Sequence, residues 1–454
     1  MINQKSIIFG LLVSTSALFA GGTWTLEDCL KQAKAKSLSM EIASLREQAA
    51  DISIQQNKIS RYPSVSANIN NTLSDNPFNN GAKDHYSLSF GLSGSWTIWD
   101  GGVTSLNTES SELNKQAVQQ STKQTERNVQ ENILNAYMNL LAAQEKLITA
   151  NASVELAQAE FENYTKLFEA GSITKKDLTQ SQSNVMQKQV AKLSAELSVN
   201  SAKTTLRQLM ELPANEEIEI TDPNAELTSP DSLEAIPPYD QLLADIRKVN
   251  PGLKSDSIAI QVAQKNTKVA SKNSSITVSL GANAGSGIRA WHTEGTANQT
   301  TVTPVIDTDV DQKNENRFVR QLKSNYQHSI SLGINIPLVD RGATANKVLQ
   351  AQINEAESQM SLRESSKNLE NNVEKLYLNA MSADMQWKAA ALQVEAETEA
   401  MAVAEEQRNA GALTYTDYLS QKNSLENAKV TLTNAKYTSL LARKLIDLYL
   451  GKMD

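Results

Sequence analysis

The sequence predicts an α+β membrane protein built from two copies of one unit, each joining a β-hairpin to a very long helix. Three observations carry that expectation. Residues 103–170 and 343–410 contain neither glycine nor proline, and each stretch is 68 residues long. At about 1.5 Å per residue each could form a rod of roughly 100 Å, whereas an ordinary helix has about 11–12 residues. Motifs around both stretches recur at a constant offset of 240 positions. The segments before both stretches alternate apolar and small polar residues, the period of a strand.

The offset marks an internal duplication. Trp99-Asp100-Gly101-Gly102 matches Val339-Asp340-Arg341-Gly342, and Tyr137-Met138-Asn139 matches Tyr377-Leu378-Asn379. Ala170-Gly171-Ser172-Ile173-Thr174 matches Ala410-Gly411-Ala412-Leu413-Thr414, and Asp177 matches Asp417. Two copies of this size are too large for solenoid repeats and read as halves of one fold.

In chain order, residues 1–20 read as a secretory signal, with Lys5 ahead of an apolar run from Ile7 to Phe19 and Ala20 at the cut. A short membrane anchor is the other reading of that run. The first repeat spans residues 21–212. It opens with amphipathic helices over 24–36 and 38–60 and a hairpin over 62–99, in which Val65, Ala67 and Ile69 alternate with serine and asparagine. A polar loop over 71–84 leads to Tyr86, Leu88, Phe90, Leu92, Trp96 and Ile98, which alternate with serine, glycine and threonine. The long helix 103–170 follows. Gly171 suits the left-handed residue that stops a helix, and Thr174-x-x-Asp177 is a capping box opening a return helix over 175–212. Residues 213–238, with five prolines, form a linker.

The second repeat, 239–454, restates this plan with a hairpin over 275–338, a long helix over 343–410 and a return helix over 415–450. Its strands are marked by Ile276 to Ala284 and by Ile330, Leu332, Ile334, Ile336 and Leu338. Gly411 and Thr414-x-x-Asp417 repeat the turn. The second hairpin loop, about 286–325, absorbs extra length.

Composition narrows the function. The formal charge is −8, which disfavours a basic nucleic-acid surface. Cys29 is the single cysteine, so no intrachain disulfide exists, and its surroundings suggest a buried helix residue. Strands with one apolar and one Ser/Gly/Asn face fit a membrane barrel, with lipid outside and water within; a soluble β-sandwich is the competing reading. Four strands cannot close a barrel, since about eight are needed, and an open edge cannot lie in lipid. The chain must therefore oligomerise, to eight strands as a dimer or twelve as a trimer. Tyr86, Trp96 and Trp99 would be interfacial aromatics.

On the duplication, the junctions at 100–102 and 340–342 and the turns at 170–177 and 410–417, the chain resembles the TolC family of outer-membrane efflux and secretion channels over nearly its whole length. The resemblance implies a homotrimer. It has a 12-stranded transmembrane β-barrel in the outer membrane of a Gram-negative bacterium, continuous with a periplasmic 12-helix α-barrel. It implies a passive exit duct in a tripartite efflux or type I secretion system, working with a periplasmic adaptor and an inner-membrane pump of the RND or ABC type. By motif position it places Gly171, Ser172, Gly411 and Ala412 at the adaptor contact. It puts Asp417 at the closed aperture, and Asp177 and Arg408 among the groups that hold the tip shut, with an Asp177–Arg408 charge pair expected. The family's basic residue and second aspartate are replaced here by Leu413 and Ser420, so the lock must be wired differently. Capping alone also explains Asp177 and Asp417.

No catalytic constellation is visible. His85, His292 and His328 lack acidic or cysteine partners at useful spacing, and Gly281, Gly285 and Gly287 read as barrel glycines, not a phosphate loop. Asp307, Asp309 and Asp311 supply half of a calcium loop without its later glycine and acid. No cofactor or metal is expected. Glu397, Glu399, Glu405 and Glu406 gather near the second turn, either toward a pore or on a solvated face. A periplasmic adaptor and a pore-less coiled-coil trimer are the alternatives. The first normally shows one helical hairpin, and the second needs no duplicated barrel strands.

Overall fold

The computed structural model describes residues 23–75, 84–222, 227, 229–292 and 317–453. The signal reading (1–20) and the Asp307–Asp311 run lie outside them. The elements are α1 (Leu26–Lys36), α2 (Leu38–Ile59), β1 (Ser64–Asp75), β2 (Asp84–Trp99), α3 (Val103–Glu169) and α4 (Lys175–Leu209). After the linker come α5 (Tyr239–Val249), α6 (Pro251–Ser271), β3 (Thr277–His292), α7 (Arg317–Ser324), β4 (Gln327–Asn335), α8 (Ala343–Asn409) and α9 (Tyr415–Tyr449). Helices α3 and α8 each run 67 residues without a break.

Both long helices start on the same device. Asp100 accepts the Gly102 amide at 2.9 Å on one oxygen and the Thr104 amide at 2.7 Å on the other. Asp340 does the same with Gly342 at 3.1 Å and Thr344 at 2.8 Å. Each carboxylate thus satisfies amides that a helix start leaves without partners. The residue after each aspartate has positive φ, +71° at Gly101 and +54° at Arg341.

The chain forms two compact units, and each draws segments from both repeats. One comprises Met1–Ser44, Thr122–Pro251 and Lys367–Asp454; the other comprises Leu45–Ser121 and Gly252–Ser366. The first unit holds the main core. Ile133, Leu134, Tyr137, Leu140 and Leu141 recur at helical spacing along α3 and pack with Leu206 and Met210, Trp387, Leu440 and the N-terminal Trp24 and Cys29. Trp387 is fully buried, and truncating a side chain of that size costs about 3–5 kcal/mol. The Tyr137 hydroxyl donates to the Thr221 carbonyl at 2.5 Å, and Trp24 bridges Ile220 through its backbone. The Arg443 guanidinium forks onto both oxygens of Asp384, which also accepts from the Ser439 hydroxyl at 2.5 Å. Burial pushes the Cys29 thiol up to about 12, so it stays protonated and inert.

The second unit carries one antiparallel sheet in the order β1-β2-β3-β4. Its register pairs like with like. Ala67↔Leu92↔Ala284 and Ile69↔Phe90 share one face with Leu280↔Leu332 and Ala282↔Ile330. That apolar face is bare, with Val65 76% and Ile330 81% exposed. The opposite face carries Ser64, Ser66, Asn68, Ser93, Ser95, Asn283, Ser329 and Ser331, with Ser64–Ser95 and Ser66–Ser93 hydroxyl pairs at 2.9 and 2.8 Å. Among the strand residues whose side chains are described, none on this face is charged.

Four details depart from the sequence reading. Strand β1 continues to Asp75, so part of the expected loop over 71–84 is paired strand. Strand β3 runs past Ala284 to His292. Strand β4 stops at Asn335, short of Ile336 and Leu338, because Pro337 has no amide to give a ladder. Helix α7 sits inside what read as loop.

Candidate functional site

Each long helix ends in the same hydrogen-bond pattern. Gly171, at φ +73°, donates to the Phe168 carbonyl at 2.9 Å, and Ser172 donates to the Leu167 carbonyl at 2.8 Å. Gly411, at φ +71°, donates to Arg408, and Ala412 donates to Gln407, at the same distances. These are Schellman turns, which need a left-handed residue. A Cβ added at Gly171 or Gly411 would meet nothing within 4 Å. Within the chain, only the backbone dihedral selects glycine there. Ser172 and Ala412 follow at the apex, both exposed.

The return helices start on Thr174 and Thr414. The Thr174 hydroxyl accepts the Asp177 amide at 3.2 Å while the Asp177 carboxylate accepts the Thr174 amide at 3.2 Å, a complete capping box. At the second turn the Thr414 hydroxyl accepts the Asp417 amide at 3.2 Å and donates to the Asp417 carboxylate at 2.6 Å, the hydroxyl half of the same box. Asp417 is exposed and Asp177 half-buried. Both aspartates cap helices, one of the two roles open to them from sequence.

Arg408 has a different partner from the one expected. Its guanidinium lies 3.6 Å from the Glu160 carboxylate, and the Asp177 carboxylate is turned onto Thr174. No Asp177–Arg408 ion pair forms within the chain. Lys422 sits 3.0 Å from the other Glu160 oxygen, so one carboxylate of α3 faces cations from α8 and α9. Three rings surround Arg408, with centroids at 4.2 Å for Tyr418, 5.2 Å for Tyr164 and 5.8 Å for Tyr415. Tyr164 and Tyr415 lie 4.5 Å apart and form a small core with Met401 and Leu419, against which Leu413 packs. Leu413 therefore closes an apolar cluster where the family expectation had a basic residue. Burial pushes the Tyr164 phenol up to about 12. Burial, then the nearby Glu160 charge, raises Tyr418, and burial raises Tyr415. All three remain neutral donors near pH 7.

Glu160, Tyr164, Tyr415, Tyr418 and Lys422 were not legible as site residues. The sole local hint was Tyr415-x-x-Tyr418, two rings three apart on one helix face. Of the nearby acids, Glu397 accepts from the Gln421 side chain at 2.7 Å, and Glu399, Glu405 and Glu406 are exposed. Glu160, Glu405, Arg408 and Tyr418 border a groove of about 620 Å³.

At the sheet, Tyr86 lies near the hairpin end of β2, while Trp96 and Trp99 lie at the helix end. Strict alternation would put Trp96 and Trp99 on opposite faces. A bulge between Thr97 and Trp99 re-pairs Trp99 with Val278, on the apolar side with Trp96. Trp96 donates its indole N–H to the Arg61 carbonyl at 2.8 Å. About ten residues of strand tilted by about 40° span about 25 Å, the height of an apolar band.

Among the described residues there is no group of three or more His, Cys, Asp or Glu side chains that could hold a metal ion. No helix among them is long and apolar enough to cross a membrane.

A family model described as outer membrane efflux protein matches residues 29–211 and 242–452. The fold is similar to the CmeC outer membrane channel of Campylobacter jejuni, at 16% identity and TM-score 0.71, covering 94% of this chain and 85% of that one. It is similar to VceC of Vibrio cholerae, at 15% identity and TM-score 0.69, covering 94% and 96%. It is also similar to the open state of the Neisseria gonorrhoeae MtrE outer membrane channel, at 16% identity and TM-score 0.71, covering 94% and 88%. No curated protein matches the chain.

Proposed function

The chain belongs to the outer membrane efflux protein family and is an outer-membrane exit duct of an efflux system; from that premise we propose that three copies form the duct and that the helix turns gate it. One observation carries the association of copies. A four-stranded sheet with a bare apolar face and two edge strands, β1 and β4, is incomplete alone. Lipid would cover the face, but only another copy can pair the edges. Three copies supply twelve strands and a water-filled lumen.

The helices support the same reading. Met186, Val190, Leu193 and Leu197 on α4 are exposed at heptad-like spacing. So are Leu349, Ile353, Met360, Leu378, Met381, Met385 and Leu392 along α8, and Leu38, Ile42, Leu45, Ile52 and Ile59 on α2. Apolar seams of this period are made for a neighbouring helix.

In this reading Gly171, Ser172, Gly411 and Ala412 meet a periplasmic adaptor, and an RND or ABC pump in the inner membrane supplies the energy. Arg408, held by Glu160 and three tyrosines, ties α8 and α9 to α3 within each copy. Asp417, exposed at the turn, faces its two counterparts at the aperture. Three carboxylates around a narrow pore repel one another or recruit a cation.

Single-channel conductance in planar bilayers tests this, with wild type beside Asp417→Asn and Arg408→Ala. The Asn variant keeps a capping oxygen and removes the charge. We expect a small, cation-selective conductance that rises in both variants. No conductance from a folded trimer would sink the duct reading, and an unchanged conductance in both variants would move the gate elsewhere.

A further inference from the structure

We propose that the junction between the sheet and the long helices binds anionic phospholipid of the membrane's inner leaflet, through Arg341 and Lys272 of one copy and Arg61 of the next. The inference rests on the outer-membrane and trimer readings. Arg61 stands just before β1, Lys272 in a 3-10 turn (Lys272–Ser274) before β3, and Arg341 between β4 and α8. All three lie at the end of the sheet that is joined to the long helices. All three are exposed, and none forms an ion pair among the described residues. The acids nearby are occupied. Asp100 and Asp340 hold helix amides, while Glu109 faces Lys265 at 2.5 Å and Glu112 faces Lys58 at 3.0 Å. In a chain of net charge −8, these cations stand uncompensated.

Arg341 carries the inference furthest. Its φ is +54°, a shape that glycine holds without strain, and the matching residue of the first repeat is Gly101. Among the described residues, the Arg341 side chain has no hydrogen bond or ion pair to offset that strain. What offsets it lies outside the chain.

The surroundings name the ligand. Trp96 pairs with Leu280 on the apolar face, and its indole N–H donates to the Arg61 carbonyl at 2.8 Å, which keeps the Arg61 backbone on the lipid side. Leu338 and Val339, just ahead of Arg341, are each 88% exposed, and Tyr62, Trp99 and Ile336 are bare at the same level. Cations beside aromatic and apolar side chains suit the boundary between headgroups and acyl chains. A soluble anion would use the cations alone. A zwitterionic lipid would bring its own ammonium against them. A phospholipid of net negative charge uses every group present.

Arg61 and Arg341 flank opposite edges of the four-stranded sheet, at the start of β1 and beyond the end of β4. When copies pair those edges, β4 of one lies about 4.8 Å from β1 of the next, and the two arginine-bearing segments meet at the seam. Lys272 precedes β3, the strand beside β4. Guanidinium groups match phosphate oxygens in pairs, so the site is complete only in the assembled duct.

The full-length trimer in detergent, given phosphatidylglycerol, phosphatidylcholine or glycerol phosphate, provides the test. Bound lipid is counted by native mass spectrometry, with the melting midpoint and the conductance followed on the same samples. Wild type should retain phosphatidylglycerol and melt higher with it, and the other two should do neither. Apparent affinity should fall about fivefold in Arg341→Gln and on the order of a hundredfold in Arg61→Gln/Lys272→Gln/Arg341→Gln, with conductance unchanged in both. Undiminished retention in the triple variant would overturn the proposal, as would equal retention of phosphatidylcholine or an equal shift from glycerol phosphate. If the triple variant does not assemble, wild-type retention by Arg341→Gln has the same force. A wild type that conducts without retaining lipid sinks the lipid site alone, whereas one that does not conduct counts against the duct.

Discussion

The two repeats put the same backbone shapes at matching positions and fill them with different residues. The first position of the rod junction is Gly101 in one copy and Arg341 in the other, with φ +71° and +54°. The close of the return helix is Glu211 in one and Gly451 in the other, with φ +53° and +71°. At the turns between long and return helices both copies keep glycine. Space explains the first difference: a Cβ on Gly101 would lie 2.3 Å from the Ser275 Cβ, a contact no side chain accepts. A left-handed dihedral alone costs roughly 1–2 kcal/mol, which Arg341 and Glu211 show to be tolerable. Gly171 and Gly411 have open space around them. Their retention in both copies is not required by packing within the chain, which agrees with a contact made outside it.

That contrast can be broken in steps. Gly101→Ala should destabilise most, by about 3 kcal/mol, combining dihedral strain with the Ser275 clash. Adding Ser275→Gly should restore about half, leaving the dihedral cost that Arg341 already bears. Urea or thermal midpoints of the trimer read both, and a silent Gly101→Ala would erase the distinction between crowded and open sites. Gly411→Ala should cost only about 1 kcal/mol of stability yet lower efflux in cells; full efflux at normal protein levels would remove the turn from the adaptor contact. Arg341→Gly and Glu211→Gly should each stabilise by about 0.5–1 kcal/mol by releasing left-handed strain, and a loss in either would mean that its side chain contributes more than its dihedral costs.

The smallest effect concerns alkali. The Tyr164, Tyr415 and Tyr418 phenols are raised in the folded chain above their unfolded value of about 10. Protons are held more tightly by the native state, so this stability is complete below about pH 10. It is lost as the pH rises through the folded values, about 12 for Tyr164. Melting curves between pH 9 and pH 11 should decline less in Tyr418→Phe than in wild type (both values on the order of the free phenol's titration range).

What could be read from sequence follows the range of the forces involved. The long helices, their aspartate junctions and the glycine turns rest on residues within five positions of one another. Alternation in the strands is equally local. Arg408 could not be assigned to Glu160 by any such pattern, because the two meet only when α3 packs against α8 in the first unit. The bulge before Trp99 left no mark either: Thr97-Ile98-Trp99 reads as ordinary strand, and only pairing with β3 reveals the extra residue. Helix α7 is short, and its propensity is weaker than the contacts with β3 that hold it.

The polar face of the sheet has one more consequence. Its described side chains are hydroxyls, amides and glycine hydrogens, with no fixed charge among them. Along the stretch from Ser64 to Asn70 and the residues paired with it, a solute meets no deep electrostatic well and exchanges one weak hydrogen bond for another as it moves, much as it does in water. That stretch of the duct should therefore add little friction. How long a cargo dwells, and which cargo is slowed, would be decided among the charges of the helical end.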